Sequence, residues 1–135
     1  MGGSYFLDSN VLIYLLEDDK FKKEKTMELV FQKPKISIQV INENINVCIK
    51  KFRMKEIDIR KHVDILQSYC SVDVVTNETS NKALFLSFKY KYSYYDSLIL
   101  SSALENKCDV LFSEDFQNNQ LIENSLKIIN PFAVK

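Results

Sequence analysis

Hydrophobic positions along this chain alternate between short β-branched runs and longer segments with helical spacing. Tyr5–Leu7 is a short apolar run closed by Asp8-Ser9-Asn10, and residues 11–16 stay apolar without the period-two alternation of a half-buried strand. The pattern predicts a buried strand, a polar turn with Ser9 or Asn10 as N-cap, and a helix. A lysine-rich helix is expected over residues 20–32, with Met27, Leu29, Val30 and Phe31 on its apolar side and Pro34 as its stop. Residues 35–38 read as a short β-branched strand and residues 40–54 as the helix after it. Residues 57–69 carry Ile59, Val63, Leu66 and Tyr69 at helical spacing, and residues 72–75 read as a third buried strand. Two helices over residues 77–91 and 94–106, broken near Ser93, then precede the apolar run Val110–Phe112. Leu126–Ile129 is the last strand, stopped by Asn130-Pro131.

Strands alternating with helices imply a three-layer α/β/α fold. A parallel sheet of about five strands is covered on both faces and joined by right-handed crossovers. The 135 residues fit one domain spanning residues 1–135, and only two glycines and two prolines leave no credible linker. Gly2-Gly3-Ser4 has no evident role ahead of the first strand and is compatible with a cloning remnant covering residues 1–4.

Charge narrows the function classes. Eighteen basic and eighteen acidic residues cancel, so any case for nucleic-acid binding has to come from local chemistry rather than net charge. No apolar run approaches bilayer length and the N-terminus lacks the pattern of a secretory signal, so the expected location is the cytoplasm, with no membrane partner. Cys48, Cys70 and Cys108 are widely spaced in apolar surroundings and read as small buried hydrophobes. His62, the single histidine, has no nucleophile-elbow sequence to accompany it and reads as a surface residue.

The acids carry the chemistry. Ligands of an open parallel sheet bind outside the carboxyl ends of its strands. Asp8 ends the first predicted strand and Asp115 lies just past the Val110–Phe112 strand. Asp96 falls in the first turn of a helix whose N-terminus faces the same edge, and Glu43 falls early in the helix leaving the second strand. Clustered carboxylates repel unless a cation or protons compensate them. Oxygen-only ligation favours magnesium or manganese, while a chain with one histidine and no paired cysteines lacks the usual ligands for zinc. Such a metal site suits phosphodiester hydrolysis. Each acid alone also fits a blander role: Ser93-Tyr94-Tyr95-Asp96 has capping-box spacing, with the acid favoured by the helix dipole.

At these residues the chain resembles the PIN-domain family, in particular the small ribonuclease toxins of VapBC-type toxin–antitoxin systems. Tyr5-Phe6-Leu7-Asp8-Ser9-Asn10-Val11-Leu12-Ile13 resembles the family's opening strand and catalytic acid. Ile36-Ser37 followed by Glu43 is similar to its second motif, Tyr95-Asp96-Ser97-Leu98-Ile99 with Ala103 to its third, and Leu111-Phe112-Ser113-Glu114-Asp115-Phe116 to its fourth. Ile128-Ile129-Asn130-Pro131-Phe132 resembles the closing strand and turn. Each motif alone is unspecific; their shared order over nearly the whole chain is what identifies the family.

The resemblance implies a magnesium- or manganese-dependent endoribonuclease acting on RNA, a cognate antitoxin and a homodimer. It implies Asp8, Glu43 and Asp96 as core metal acids, Asp115 as a more peripheral fourth, and Asn10 and Ser113 as orienting residues behind them. Glu114 competes with Asp115 for the fourth place. Ser9 and Ser113 stand where threonine is common, which keeps a hydroxyl. For RNA, the basic residues Lys50, Lys51 and Arg53, and Lys89, Tyr92 and Tyr95 beside Asp96, are candidate contacts, set against solvated helix faces and tyrosines packed between helices. Competing readings are an idle PIN-like module that binds RNA or protein, and a phosphate-transferring enzyme with Asp8 as nucleophile. The latter is weakened because Asn10 stands where a second Asp is expected.

Overall fold

A computed structural model describes residues 3–133; of the suspected cloning remnant, Met1 and Gly2 lie outside these residues. The elements run β1 (Tyr5–Leu7), α1 (Ser9–Leu12) with a 3-10 turn (Ile13–Leu16), α2 (Lys20–Val30), β2 (Lys35–Ser37), α3 (Ile38–Lys50), α4 (Glu56–Tyr69) and β3 (Ser71–Asp73). They continue with α5 (Asn77–Tyr90), α6 (Tyr94–Glu105), β4 (Val110–Phe112), β5 (Leu121–Ile122) and β6 (Leu126–Ile129). The sheet has six strands in the order β3-β2-β1-β4-β6-β5, all parallel except β5, which pairs antiparallel with β6. The three-layer architecture predicted from the alternating pattern is therefore present, with one short antiparallel edge strand added.

The central strands are the ones with unbroken apolar runs. Phe6, Leu7, Ile36, Leu111 and Ile128 are fully buried between the helical layers, and each such side chain contributes about 1.5–3 kcal/mol by leaving water. The register Tyr5↔Val110, Phe6↔Leu111, Leu7↔Phe112 brings the ends of β1 and β4 level. The Asp8 amide continues the ladder to the Phe112 carbonyl at 3.0 Å, and the Ser113 amide continues it to Ile129 at 3.0 Å. Connections from β1 lead to one side of the sheet and β4 lies on the other, so the crevice between these two strands is the topological switch point.

Several local expectations are corrected. The N-cap of the first helix is Asp8, one residue before the expected cap, because its own carboxylate takes the Ser9 amide. Residues 11–16 divide between one turn of α-helix and the 3-10 turn. Ile38 opens α3 rather than ending β2, and α3 stops at Lys50, ahead of residue 54. The third strand is Ser71–Asp73, and as an edge strand it is exposed at Ser71 and Val72 rather than buried. The break between α5 and α6 falls near Ser93 as expected, opened by Lys91 in the left-handed region at φ 66° and closed by Ser93 as the N-cap of α6. His62 is not a surface residue: it is 3% exposed, inside the contact between α4 and α3. Cys48, Cys70 and Cys108 are buried free thiols, as expected.

Candidate active site at the carboxyl edge of the sheet

Asp8 is the buried anchor of the site, only 4% exposed. Its Oδ1 accepts the Ser9 amide at 2.7 Å and its Oδ2 accepts the Ser113 hydroxyl at 2.8 Å. The Ser113 hydroxyl in turn accepts from Asn10 Nδ2 at 3.2 Å and from the Asp115 amide at 3.1 Å. Asn10 Oδ1 takes the Glu114 amide at 3.3 Å, so both ends of its amide are committed and its orientation is fixed. The β1–α1 turn and the loop after β4 are thus laced together across the switch point by Asn10 and Ser113.

The other acids approach from separate elements. Glu43, one turn into α3, accepts the Ser9 hydroxyl on Oε1 at 2.7 Å and Gln39 Nε2 on Oε2 at 3.1 Å. Gln39 also donates to the Tyr95 carbonyl at 3.0 Å, which ties α3 to the first turn of α6 next to Asp96. Ser93 caps α6 by accepting the Asp96 amide at 3.1 Å. Asp115 is exposed at the mouth.

Electrostatics reports the same convergence. Asp8 is pushed up from its ordinary 3.8 to about 7, chiefly by burial, with Glu43 and Asp115 adding repulsion against the hydrogen bonds from Ser113 and Ser9. Asp96 is raised as well, first by burial and then by Asp115, against the Ser93 hydroxyl. Burial and like charge therefore act on the same carboxylates.

Glu114 faces elsewhere. Its Oε1 accepts the Tyr14 hydroxyl at 2.8 Å and its Oε2 pairs with Lys22 Nζ at 2.9 Å. Lys22 also reaches the Tyr14 hydroxyl at 3.1 Å, and its ammonium is raised above its ordinary range by Glu114 and Tyr14. Of the two neighbouring acids, Asp115 is the one whose charge acts on Asp8 and Asp96.

The chemistry of the donor set fits a hard divalent ion: carboxylates, hydroxyls and amides, with the sole histidine held elsewhere. Ser37 Oγ, Gln39 Oε1 and Ser97 Oγ, on the segments that meet here, are buried without a hydrogen-bond partner. Among the described residues no three acid, histidine or cysteine side chains stand close enough to ligate one ion directly. A hard divalent ion that binds through one or two carboxylates and keeps several waters is compatible with this spacing.

The candidate RNA contacts are scattered. Tyr95 is beside the acids and exposed. Tyr92 is half-buried, its hydroxyl on Gln120 and its ring edge-on to Phe116 at 4.8 Å. Lys89 pairs with Glu123 at 2.6 Å. Lys50, Lys51 and Arg53 lie at the C-terminal end of α3, the end opposite that carrying Glu43, and are not brought to the cluster.

Three supporting residues were not singled out from sequence. Gln39 sits one turn before Glu43, a spacing at which an amide can hold a carboxylate on the same helix face. Asn44 donates to the Ser9 carbonyl at 3.3 Å and the Val40 carbonyl at 3.2 Å, and its Oδ1 meets His62 Nε2 at 2.8 Å. Lys22, which neutralises Glu114, carries no signal that separates it from its lysine-rich surroundings.

The family model described as the PIN domain matches residues 5–121. Among curated protein sequences, none matches the chain significantly. In three dimensions the chain is similar to a toxin–antitoxin complex from Klebsiella pneumoniae, with a TM-score of 0.72, 18% identity, and coverage of 97% of this chain and 100% of that one. It is similar to VapC20 of Mycobacterium tuberculosis, described as a sarcin-ricin loop cleaving toxin, with a TM-score of 0.66, 18% identity, and coverage of 83% and 92%. It is also similar to VapBC2 of Rickettsia felis, solved on a promoter DNA fragment, with a TM-score of 0.69, 19% identity, and coverage of 92% and 97%. These identities carry the likeness of fold.

Proposed function

Since this chain belongs to the PIN domain family, we propose that it is a magnesium- or manganese-dependent endoribonuclease, the toxin of a toxin–antitoxin pair. The observation that carries the reading is that Asp8 is buried at the switch point and pushed up to about 7, with the charges of Glu43 and Asp115 acting on it and that of Asp115 acting on Asp96 as well. Burial and like charge make the ionised form costly to the fold, and a cation relieves that cost.

Of Asp8, Glu43 and Asp96, one or two would ligate the ion directly and the remainder would reach it through its waters, with Asp115 at the mouth. A divalent ion bound there supplies charge neutralisation at a phosphodiester and lowers the pKa of water. The chain's own residues provide the order. Ser113 and the Ser9 amide aim the two oxygens of Asp8, the Ser9 hydroxyl and Gln39 aim those of Glu43, and Asn10 fixes the loop that presents Asp115. Shaping of this kind is what keeps a reacting group within a fraction of an ångström of its place.

The toxin assignment comes to this chain from the similar structures, one described as a toxin–antitoxin complex and one as a cleaving toxin. A cognate antitoxin would silence it by bringing a basic side chain, most simply an arginine, to the clustered carboxylates. A homodimer is also proposed, and the exposed Phe21, Met27 and Phe31 on or beside α2 give the early helices an apolar surface for it. The test is a melting experiment with RNA cleavage run alongside. Magnesium or manganese raises the melting temperature of the wild type, much less so that of Asp8→Asn, and a chelator stops cleavage. Equal shifts in both proteins, or cleavage indifferent to the chelator, overturn the reading.

A further inference from the structure

Beside the acids lies a cleft most of whose lining has no part in the chemistry above. A cleft of about 400 Å³ runs between one face of α3 and the start of α6, lined by Ile38, Gln39, Asn42, Glu43, Asn46 and Tyr95 among others. It shares Glu43 with the catalytic cluster, so whatever enters it lies next to the reacting phosphate. Its volume is at the low end of the roughly 300–1,000 Å³ range of small-ligand pockets.

Three features say what it takes. First, no lysine or arginine lines the cleft and a carboxylate closes one end, which disfavours a phosphate. Second, Tyr95 is 67% exposed. Its backbone carbonyl accepts from Gln39 at 3.0 Å, which fixes where the residue stands at the cleft, and its ring meets Tyr94 edge-on at 5.5 Å. An aromatic face open to solvent is a stacking platform. Third, the Gln39 amide is oriented by two acceptors, the Glu43 carboxylate and the Tyr95 carbonyl. Its nitrogen must face them, and Oε1 remains buried with no partner. An unpaired acceptor is costly, and a donor arriving through the cleft relieves it.

We propose that this cleft is the subsite for a nucleobase flanking the scissile phosphate, stacked on Tyr95 and read by Gln39, Asn42 and Asn46. It favours a base with an exocyclic amino group over uracil. The proposal rests on the ribonuclease reading and deepens it. With its nitrogen committed to the Glu43 carboxylate and the Tyr95 carbonyl, Gln39 offers only an acceptor and so rewards an amino donor over a carbonyl at the same place, while the Asn42 and Asn46 amides, which both donate and accept, can turn to support the base that enters.

The experiment has two arms. In the first, fluorescently labelled single-stranded RNA oligonucleotides, with each of the four bases at the positions flanking the cut, are bound to the inactive Asp96→Asn protein with and without Tyr95→Ala. In the second, the same oligonucleotides are cleaved by the active protein carrying Tyr95→Ala, Tyr95→Phe, Asn42→Ala or Asn46→Ala. Tyr95→Ala weakens binding roughly tenfold and its effect on cleavage falls on KM more than on kcat, while Tyr95→Phe retains most of both. The amide variants flatten the preference against uracil at one position. Binding and base preference unchanged by Tyr95→Ala overturn the cleft while leaving the nuclease reading in place. If RNA binding is unchanged and Tyr95→Ala instead alters the sedimenting mass, the cleft is a contact between copies and the proposal is wrong. Absence of RNA cleavage by the wild type with either metal strikes the ribonuclease reading itself.

Discussion

Ser9 donates its hydroxyl to Glu43 at 2.7 Å while its amide holds Asp8 at 2.7 Å, so one residue sets two carboxylates that stand 35 positions apart. Ser9→Ala keeps the amide and removes only the hydroxyl. The expected result is a tenfold to hundredfold loss of RNA cleavage or of metal affinity, the usual cost of removing an orienting partner, with a stability change under about 1.5 kcal/mol. Ser9→Thr, which retains the hydroxyl, restores most of the activity. Steady-state cleavage and urea unfolding of the three proteins check this.

The raised pKa of Asp8 makes the metal-free protein sensitive to pH. The folded state holds the proton up to about 7, while the unfolded chain releases it near 3.8. Between these values the folded state binds more protons, so this group's contribution to stability is present at low pH and is lost as pH rises towards 7. With a chelator present, the stability of wild type relative to Asp8→Asn falls by up to about 1.4 kcal/mol per pH unit across that window and then levels. Saturating magnesium flattens the difference. Urea titrations at several pH values measure it.

His62 gives the opposite slope. Burial lowers it from its ordinary 6.5, so it folds neutral. Stability from this group is present above about pH 6.5 and is lost as pH falls below it, until the folded form also takes up the proton. His62→Ala removes this dependence and strands Asn44 Oδ1, at a cost of about 1–3 kcal/mol. Unfolding free energies of wild type and variant at pH 5 and pH 8 separate the two effects.

Glu114 and Asp115 are adjacent but have different surroundings. Glu114→Gln breaks the pair with Lys22, a partly buried interaction worth about 1 kcal/mol, and leaves RNA cleavage within about threefold, a factor under 1 kcal/mol. Asp115→Asn lowers cleavage by roughly tenfold or more, through an activation-energy loss of about 1.4 kcal/mol per tenfold, and leaves stability nearly unchanged. Parallel rate and melting measurements distinguish them, and the reverse order would transfer the fourth acid's role to Glu114.

Much of this was legible in the residues because the central strands are unbroken apolar runs that end on polar ones. Tyr5–Leu7 and Val110–Phe112 announce buried parallel strands, and the acids after them lie at the carboxyl edge by topology alone. Weaker local patterns misled. Val72 resembles a core strand residue, but as part of a three-residue edge strand it is 37% exposed. Leu121–Ile122 is too short to stand out, and it forms only because β6 offers a free edge. His62 reads as surface beside Arg60 and Lys61, because helical phase, not neighbouring charge, decides which side faces α3. The hydrogen bonds of Gln39 and Asn44 depend on contacts between elements that no local pattern encodes.

RNA cleavage by wild type and Asp96→Asn, side by side with magnesium or manganese, is the most direct measurement of the central claim. The substitution keeps the side chain's shape and removes the charge that a cation needs. The predicted result is a metal-dependent cleavage that the variant lacks by at least roughly a hundredfold, in line with removal of a key electrostatic group, while its melting temperature stays equal or rises as repulsion is relieved. A folded Asp96→Asn protein that cuts RNA at near wild-type rate would contradict the assignment of this site.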